Sequence, residues 1–590
     1  MRPALAPHLP TAARASGLAA GVLAIVALAS CGGAASPAKK PPKPAEPQRE
    51  WFVDRARESG LDVVHVNGMS GRLYMPEVLA PGVALLDYDQ DGDLDAYVVQ
   101  SGPLDASPLA SRAGTPLTDR LFRNDLRTDA DGSRHLHFSD VTAESRIAPR
   151  GYGMGVAVGD IDNDGWPDLY LTKFNAPNQL FRNNGNGTFT DVSKGSGTDS
   201  VSWTVSAAFV DIDRDGWLDL FVGHYLRYTL AGGSTCLSPS GAPDYCTPDS
   251  YQPLPDRLYR NQHDGTFADI TARAQIGRAF GPALGVATAD FNRDGWMDIY
   301  VANDGKENQL WLNRRDGTFE NTALLAGVAL PLTGKAEASM GVDAGDFDDD
   351  GDEDLVITEL TGEGSNLFVN DGSAVFDDDS SRAGIGPASA GFTGFGTGWF
   401  DYDNDGRLDL LAVNGAVQVI ELLRQAGDAF PVRQRKLLFH NTGGGRFDDV
   451  SARAGAVFAL SEVGRGVAFG DVDNDGSVDV LVGNNNGPVR LLMNQAGAGR
   501  HWLGLRLVGG PGTRDLLGAH VDVKTAGGVK HRRARADGSY GSANDPRVHV
   551  GLGASSAAPD VTVHWPDGTS ESWRGVAIDR YTTLMRGASQ

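Results

Sequence analysis

Apolar residues in this chain come in short runs, and the runs come in pairs. Gly82-Val-Ala-Leu-Leu86 and Gly466-Val-Ala-Phe-Gly470 each precede a polar stretch, whereas Leu169-Tyr-Leu-Thr172 and Leu220-Phe-Val-Gly223 each follow one. Runs this short, rich in β-branched and aromatic side chains and bounded by turn residues, predict strands. The polar stretch between them is itself a repeat, D-x-D-x-D-G-x-x-D, found seven times. Each copy therefore reads as a hairpin connection between two strands.

The repeat presents carboxylates at alternate positions, a Gly that lets the chain turn sharply, and a closing carboxylate. A hard cation with oxygen ligands needs such a set, and calcium is the expected ion, up to seven of them. The ligand positions one, three, five and nine are Asp87, Asp89, Asp91 and Asp95; Asp160, Asp162, Asp164 and Asp168; and Asp211, Asp213, Asp215 and Asp219. The fourth copy has Asp290, Asn292, Asp294 and Asp298, with an amide in place of one carboxylate. The last three have Asp346, Asp348, Asp350 and Asp354; Asp401, Asp403, Asp405 and Asp409; and Asp471, Asp473, Asp475 and Asp479. An EF-hand is excluded, because its bidentate Glu at position twelve falls here on Val98, Leu171, Val222, Val301, Ile357, Ala412 and Val482.

Two further units keep step with the loops. An L-φ-x-N unit ends at Asn124, Asn183, Asn261, Asn313, Asn370, Asn441 and Asn494. An F-x-D/N unit follows the first six, from Phe138-Ser-Asp140 to Phe447-Asp-Asp449, and the seventh lies near the other end of the chain as Phe52-Val-Asp54. The expected fold is all-β: a seven-bladed β-propeller over residues 51–500, its last blade completed by the early strand, with a small C-terminal β domain over 501–590. Such closure removes a free sheet edge, and an open solenoid would leave Phe52-Val-Asp54 unexplained.

Composition narrows the function. The net charge is −24, and 31 of the 76 acidic residues lie in the seven loops. Much of the acidity is thus of the metal-ligating kind, which argues against nucleic acid. At the N-terminus, Arg2 and Arg14 precede an apolar stretch from Leu18 to Ala29, too short to span a membrane, which ends Leu28-Ala29-Ser30-Cys31. This resembles a lipoprotein signal over residues 1–31 with Cys31 as the lipidated residue, followed by a Pro/Ala/Lys-rich tether over 32–50. Gly32 rather than Asp after that cysteine points, by the same resemblance, to the outer membrane. In an exported protein Cys236 and Cys246 are expected to form a disulfide.

With these units in place, the chain resembles the FG-GAP or VCBS repeat proteins, which include the integrin α-subunit propellers. The match is carried by Gly155-Val-Ala-Val-Gly-Asp160-Ile-Asp-Asn-Asp-Gly165-Trp-Pro-Asp168. Gly538-Ser-Tyr540-Gly-Ser542, Asp545-Pro-Arg547-Val-His549 and Val561-Thr-Val-His-Trp565-Pro-Asp-Gly568 resemble the ASPIC/UnbV domain. Together they give the layout of the cartilage acidic protein family. The resemblance implies a calcium-bearing extracellular propeller, with the loop carboxylates as ligands, and no reaction.

No nucleophile elbow, zincin, Walker or dinucleotide motif is present in the sequence. His65 and His224 are expected to be structural, and Trp166, Trp217 and Trp296, which share loop position seven, to pack within their blades. The basic stretch Lys530-His-Arg-Arg533 with Arg535 reads as a solvated strand face, or else as a site for an anionic partner. Two functions remain. One is a recognition or adhesion module that binds protein or glycan through its insertions, Ala106 to Asp119 and Ala231 to Pro255. The other is a lyase or glycosidase acting on extracellular polysaccharide at the channel mouth.

Overall fold

The computed structural model describes residues 49–104, 117–233 and 235–588. Cys31, the signal and nearly all of the tether lie outside the described residues, as does most of the insertion from Ala106 to Asp119. Among the described residues, no helix is long and apolar enough to cross a membrane.

Six times the chain lays down four antiparallel strands in sequence order, and a seventh sheet joins three strands to one from the start of the described chain. The second sheet shows the plan: Tyr152–Gly159, then Asp168–Pro177, Gln179–Asn183 and Phe189–Asp191. The first strands of the sheets are Val83–Leu86, Tyr152–Gly159, Val201–Val210, Ala283–Ala289, Val342–Gly345, Gly394–Phe400 and Gly464–Gly470. Each touches the next, and Val83–Leu86 touches both Tyr152–Gly159 and Gly464–Gly470, so the sheets curl into a closed ring. Closure is latched by the early strand Phe52–Asp54, which pairs with Arg490–Asn494 in the register Phe52↔Asn494. All eight residues of Tyr152–Gly159 are buried. A sheet sandwiched between two neighbours buries both faces, which explains why these strands read as continuous apolar runs rather than as alternating ones.

Residues 501–588 form two four-stranded sheets around a shared core that includes Leu503, Leu505, Val521, Val523, Val550, Val561 and Trp565. This domain and the ring are one compact unit, Glu50–Gln590. The segment from Arg535 to Asp545 enters the central channel on the side of the acidic loops. The Gly541 carbonyl accepts from the Val156 N–H, the Ser539 carbonyl from Val342 N–H, and Ala543 exchanges two bonds with Val83 and Leu85. The Gly541 N–H donates to Ser206 Oγ at 3.0 Å, Asp537 accepts from the Thr288 N–H and hydroxyl, and Asn544 accepts from the Phe469 N–H. The side chain of Tyr540, fully buried, meets Phe395 edge-on at 4.9 Å. Every sheet of the ring thus holds the plug.

The close approach requires glycine. A Cβ on Gly82 or Gly155 would fall 1.8 Å or 2.7 Å from the Gly541 carbonyl oxygen, and one on Gly466 would fall 2.4 Å from Ser542 Oγ. Gly82, Gly155, Gly285, Gly341, Gly396 and Gly466 each stand five residues before an acidic loop, and Ser206, which binds the plug through its hydroxyl, takes that place in the third sheet.

The opposite mouth is closed by apolar groups. Tyr74, Met75, Val78 and Leu79 from the segment before the first sheet pack with Tyr228 and with Tyr245 and Cys246 from the long insertion that follows it, over Met154, Trp203 and Tyr225. The expected disulfide forms between Cys236 and Cys246. The two closures meet, because the Tyr540 hydroxyl donates to the Leu79 carbonyl at 2.8 Å.

Candidate metal sites

Each acidic loop is folded by its own carboxylates. Position four is left-handed in all seven (Gln90, Asn163, Arg214, Arg293, Asp349, Asn404, Asn474), with φ between 55° and 61°. At position six Gly92, Gly165, Gly216, Gly295, Gly351, Gly406 and Gly476 have φ of 84–96°, and each donates its N–H to the first-position Asp at 2.6–3.2 Å. The position-five carboxylate accepts from the N–H of position seven at 2.7–3.0 Å. These Asx-type bonds fix the turn and leave the remaining oxygens free to point inward.

The closing carboxylate does double duty. One oxygen of Asp95 accepts the Tyr88 N–H and the other the Asn124 N–H, and the same pair recurs at Asp168, Asp219, Asp298, Asp354, Asp409 and Asp479. The Asn of L-φ-x-N then reaches outward. The Asn183 amide donates to Pro167 of its own loop and to Tyr88 of the loop before it. Asn261, Asn313, Asn370, Asn441 and Asn494 each do the same one sheet further on. Asn124 closes the circle on Leu94 and on Val472 of the seventh loop. A ring of side-chain amides therefore ties every loop to its neighbour.

The electrostatics of the loops call for a cation. Ligand oxygens from Asp87, Asp89 and Asp95 lie within 4.8 Å of one another, as do those of Asp160, Asp162 and Asp168, of Asp211, Asp213 and Asp219, and of Asp346, Asp348 and Asp354. One buried oxygen each of Asp87, Asp89, Asp162, Asp211 and Asp213 has no hydrogen-bond partner. Burial, with repulsion from the neighbouring carboxylates, raises Asp87 and Asp346 to about 7 and Asp471 to about 8. It raises Asp160, Asp211 and Asp290 to about 6 and holds Asp95, Asp168 and Asp479 well above the ordinary range. Orphaned buried oxygens at the convergence of several carboxylates fit a hard, oxygen-ligated dication.

Other residues singled out in the sequence support the loops or the core. The Asn292 side-chain oxygen accepts from Asp294 N–H at 3.0 Å, as the Asp403 carboxylate does from Asp405 at 3.2 Å. At position seven Trp217 stacks on His263 at 4.6 Å and Trp166 covers Gly185, each on the later hairpin of its own sheet, whereas Trp296 lies beneath Arg214 of the preceding loop. His65 is buried between Ser101 and the Asn486 N–H, and His224 bonds the Pro255 carbonyl. In the sixth loop Asp403, Asp405 and His440 form such a convergent set. His440 was not legible as a site residue, although it occupies the variable place of its L-φ-x-N unit.

The solvated reading of the basic stretch is corrected by the structure. Lys530 and Arg532 pair with Asp349 at 2.5 and 3.1 Å, Arg533 with Glu353 at 3.2 Å, and Arg535 with the buried Asp343. Its anionic partner is the ring of this same chain. Position four explains the need for Arg532. Gln90, Asn163, Asn404 and Asn474 donate to the Gly carbonyl of the following loop, whereas Asp349 has no donor to offer. Arg532 bridges the gap, from Asp349 to the Gly406 carbonyl at 3.3 Å.

The chain matches two family models: FG-GAP-like repeat over residues 87–171, 160–222, 241–301 and 290–357, and ASPIC and UnbV over 509–590. The chain is similar to cartilage acidic protein 1 of Homo sapiens, with 26% identity over 541 residues, covering 86% of this chain and 72% of that protein. The Xenopus tropicalis protein of that name is 24% identical over 531 residues, covering 84% of this chain and 71% of its own length. Among solved structures, the BP39L lectin from Burkholderia pseudomallei aligns with a TM-score of 0.40 and 12% identity, over 72% of this chain and 97% of that one.

Proposed function

Because the chain belongs to the FG-GAP repeat proteins that end in an ASPIC and UnbV domain, we propose that it is a calcium-stabilised recognition module of the bacterial cell envelope. It is held by lipid at Cys31 and binds an extracellular protein or glycan. The orphaned carboxylate oxygens of the loops carry the metal part of this reading. Positions one, three, five and nine, with Asn292 in the fourth loop, would hold calcium, together with the backbone carbonyl of position seven. The ion would neutralise three or four crowded carboxylates per loop and tie together strands that otherwise repel.

The filled channel supports recognition over catalysis. A propeller enzyme works at the channel, and here one mouth is occupied by Tyr540 and its flanking backbone and the other by Tyr74, Met75 and the Cys236–Cys246 insertion. Contact with a ligand then falls to the outer surface. One candidate surface is a groove of about 400 Å³ between loops three to five and the C-terminal sheet, walled by Arg214, Arg293, His531, His564 and Trp565. An exported disulfide and the N-terminal sequence support the location.

The test is a glycan and matrix-protein array probed with the purified chain, in calcium and in chelator, followed by product analysis of each hit. Calcium-dependent capture with the ligand left intact is expected. Shortened polysaccharide products would instead establish the lyase or glycosidase reading.

A further inference from the structure

The seven loops are alike in their acids but not in what stands over them. The variable residue of L-φ-x-N is Arg123, Arg182 and Arg260 in the first three sheets, Leu312, Val369 and Met493 in the fourth, fifth and seventh, and His440 in the sixth. Arg260 sits 2.6 Å from Asp213 and Arg182 3.9 Å from Asp162. A guanidinium stays protonated and has no lone pair to give, so there it acts as a counter-charge. An imidazole has one.

We infer that the sixth loop is a mixed nitrogen and oxygen site, with Asp403, Asp405 and His440 as ligands, that selects a borderline transition dication of the zinc or cobalt class over calcium. This rests on the reading of the acidic loops as cation sites. Ligand atoms of the three residues lie within 4.8 Å of one another. The imidazole is held in place by its neighbours, since His440 Nδ1 is 3.1 Å from Asp409 Oδ1 and the Tyr402 hydroxyl lies 3.4 Å away. Asp409 is itself fixed by the N–H groups of Asn441 at 2.7 Å and Tyr402 at 3.3 Å. Asp409, a ligand in the calcium reading, would here orient the imidazole without binding the ion, as carboxylates do beside metal-bound histidines. The His440 side chain is 25% exposed, which leaves an ion a way in. Calcium takes oxygen ligands, whereas imidazole suits zinc, cobalt, nickel and copper, so one histidine changes the ion preferred.

The rival reading is that His440 merely replaces an arginine as counter-charge, and the two readings predict opposite outcomes for His440→Arg. The purified full chain is stripped with chelator, refilled with excess calcium, assayed for bound calcium by elemental analysis, and titrated with cobalt(II). The wild type is expected to take up one equivalent, with the visible ligand-field band of nitrogen-coordinated cobalt, that excess calcium does not displace. His440→Gln and His440→Arg are expected to lose that equivalent while melting as the wild type does in calcium. Displacement of the cobalt by calcium, or persistence of the same equivalent in either folded variant, would overturn the inference. Calcium bound without this cobalt equivalent would sink this inference alone, whereas no bound calcium would sink the calcium reading of the other loops.

Discussion

The two mouths of the channel are closed by opposite means. On the loop side the plug is polar and made largely of backbone: Ser539, Gly541 and Ala543 bond the inner strands, and Arg533 and Arg535 pair with Glu353 and Asp343. On the far side the seal is aromatic, with Trp203 edge-on to Phe174 and Tyr225 at 4.9 Å each. Arg465, buried there, is bonded to the carbonyls of Val78, Gly415, Gly464 and Ala416 and lies 3.7 Å over the Phe395 ring. Apolar burial is insensitive to ions, whereas a lid seated on clustered carboxylates depends on what neutralises them. The loop-side lid should therefore answer to metal and the far lid should not, although the far lid has buried carboxylates of its own in Glu77 and in Asp304, which burial raises to about 7 beside Tyr225.

The largest separation between them is expected from chelation. A site occupied at a hundred times its Kd adds about 2.7 kcal/mol to the folded state, so emptying several sites lowers the melting temperature severely. Amide exchange should rise first across Asp537–Asp545 and the loops and last across Tyr74–Leu79. Equal loosening of both segments, or an unchanged melting temperature, would break the comparison. Next in size is Tyr540→Ala, at about 3–5 kcal/mol, because the ring is fully buried where the two lids meet. Tyr540→Phe, which gives up only the bond to Leu79, should cost about 1 kcal/mol by chemical denaturation.

Much of this was legible in the chain, and the rest was hidden for a physical reason. The nine-residue repeat announces its hairpins, and Phe52-Val-Asp54 announces the closing strand. The Asn of L-φ-x-N shows its place but not its work, since its two acceptors lie on different sheets. A Gly stands five residues before six of the loops. Only the path of Gly541 past Gly82 and Gly155 shows that it clears space for the plug. The basic stretch from Lys530 to Arg535 misled because charge on a strand reads as solvent-facing until its partners are known, and these lie some 180 residues earlier.

Breaking the disulfide probes the far lid alone. Cys236→Ser with Cys246→Ser opens a loop with a sequence separation of 10 and should cost about 2–3 kcal/mol, with the calcium dependence of melting unchanged. A calcium-dependent cost would mean that the two lids are coupled through Tyr540 rather than merely touching.

The smallest effect belongs to the loop side and tests its response to pH. Asp522 bonds His531 Nδ1 at 2.7 Å and His564 Nε2 at 3.0 Å. These bonds raise both imidazoles above their ordinary value and depress the carboxyl. Groups raised in the folded state stabilise it fully below their unfolded pKa, and that stability is lost as pH climbs through the raised values. The depressed carboxyl contributes above its unfolded pKa and loses its share only in acid. With side chains 30–45% exposed, screening limits the effect to about 1 kcal/mol or less between about pH 6.5 and 8. On the far side the group near that range is Asp304, raised to about 7 by burial and bonded by the Tyr225 hydroxyl, whereas burial pushes His65 down to about 3. In saturating calcium, wild type minus Asp522→Asn should thus show a stability difference that shrinks as pH rises. A difference that is flat with pH would mean the pair is only a packing contact.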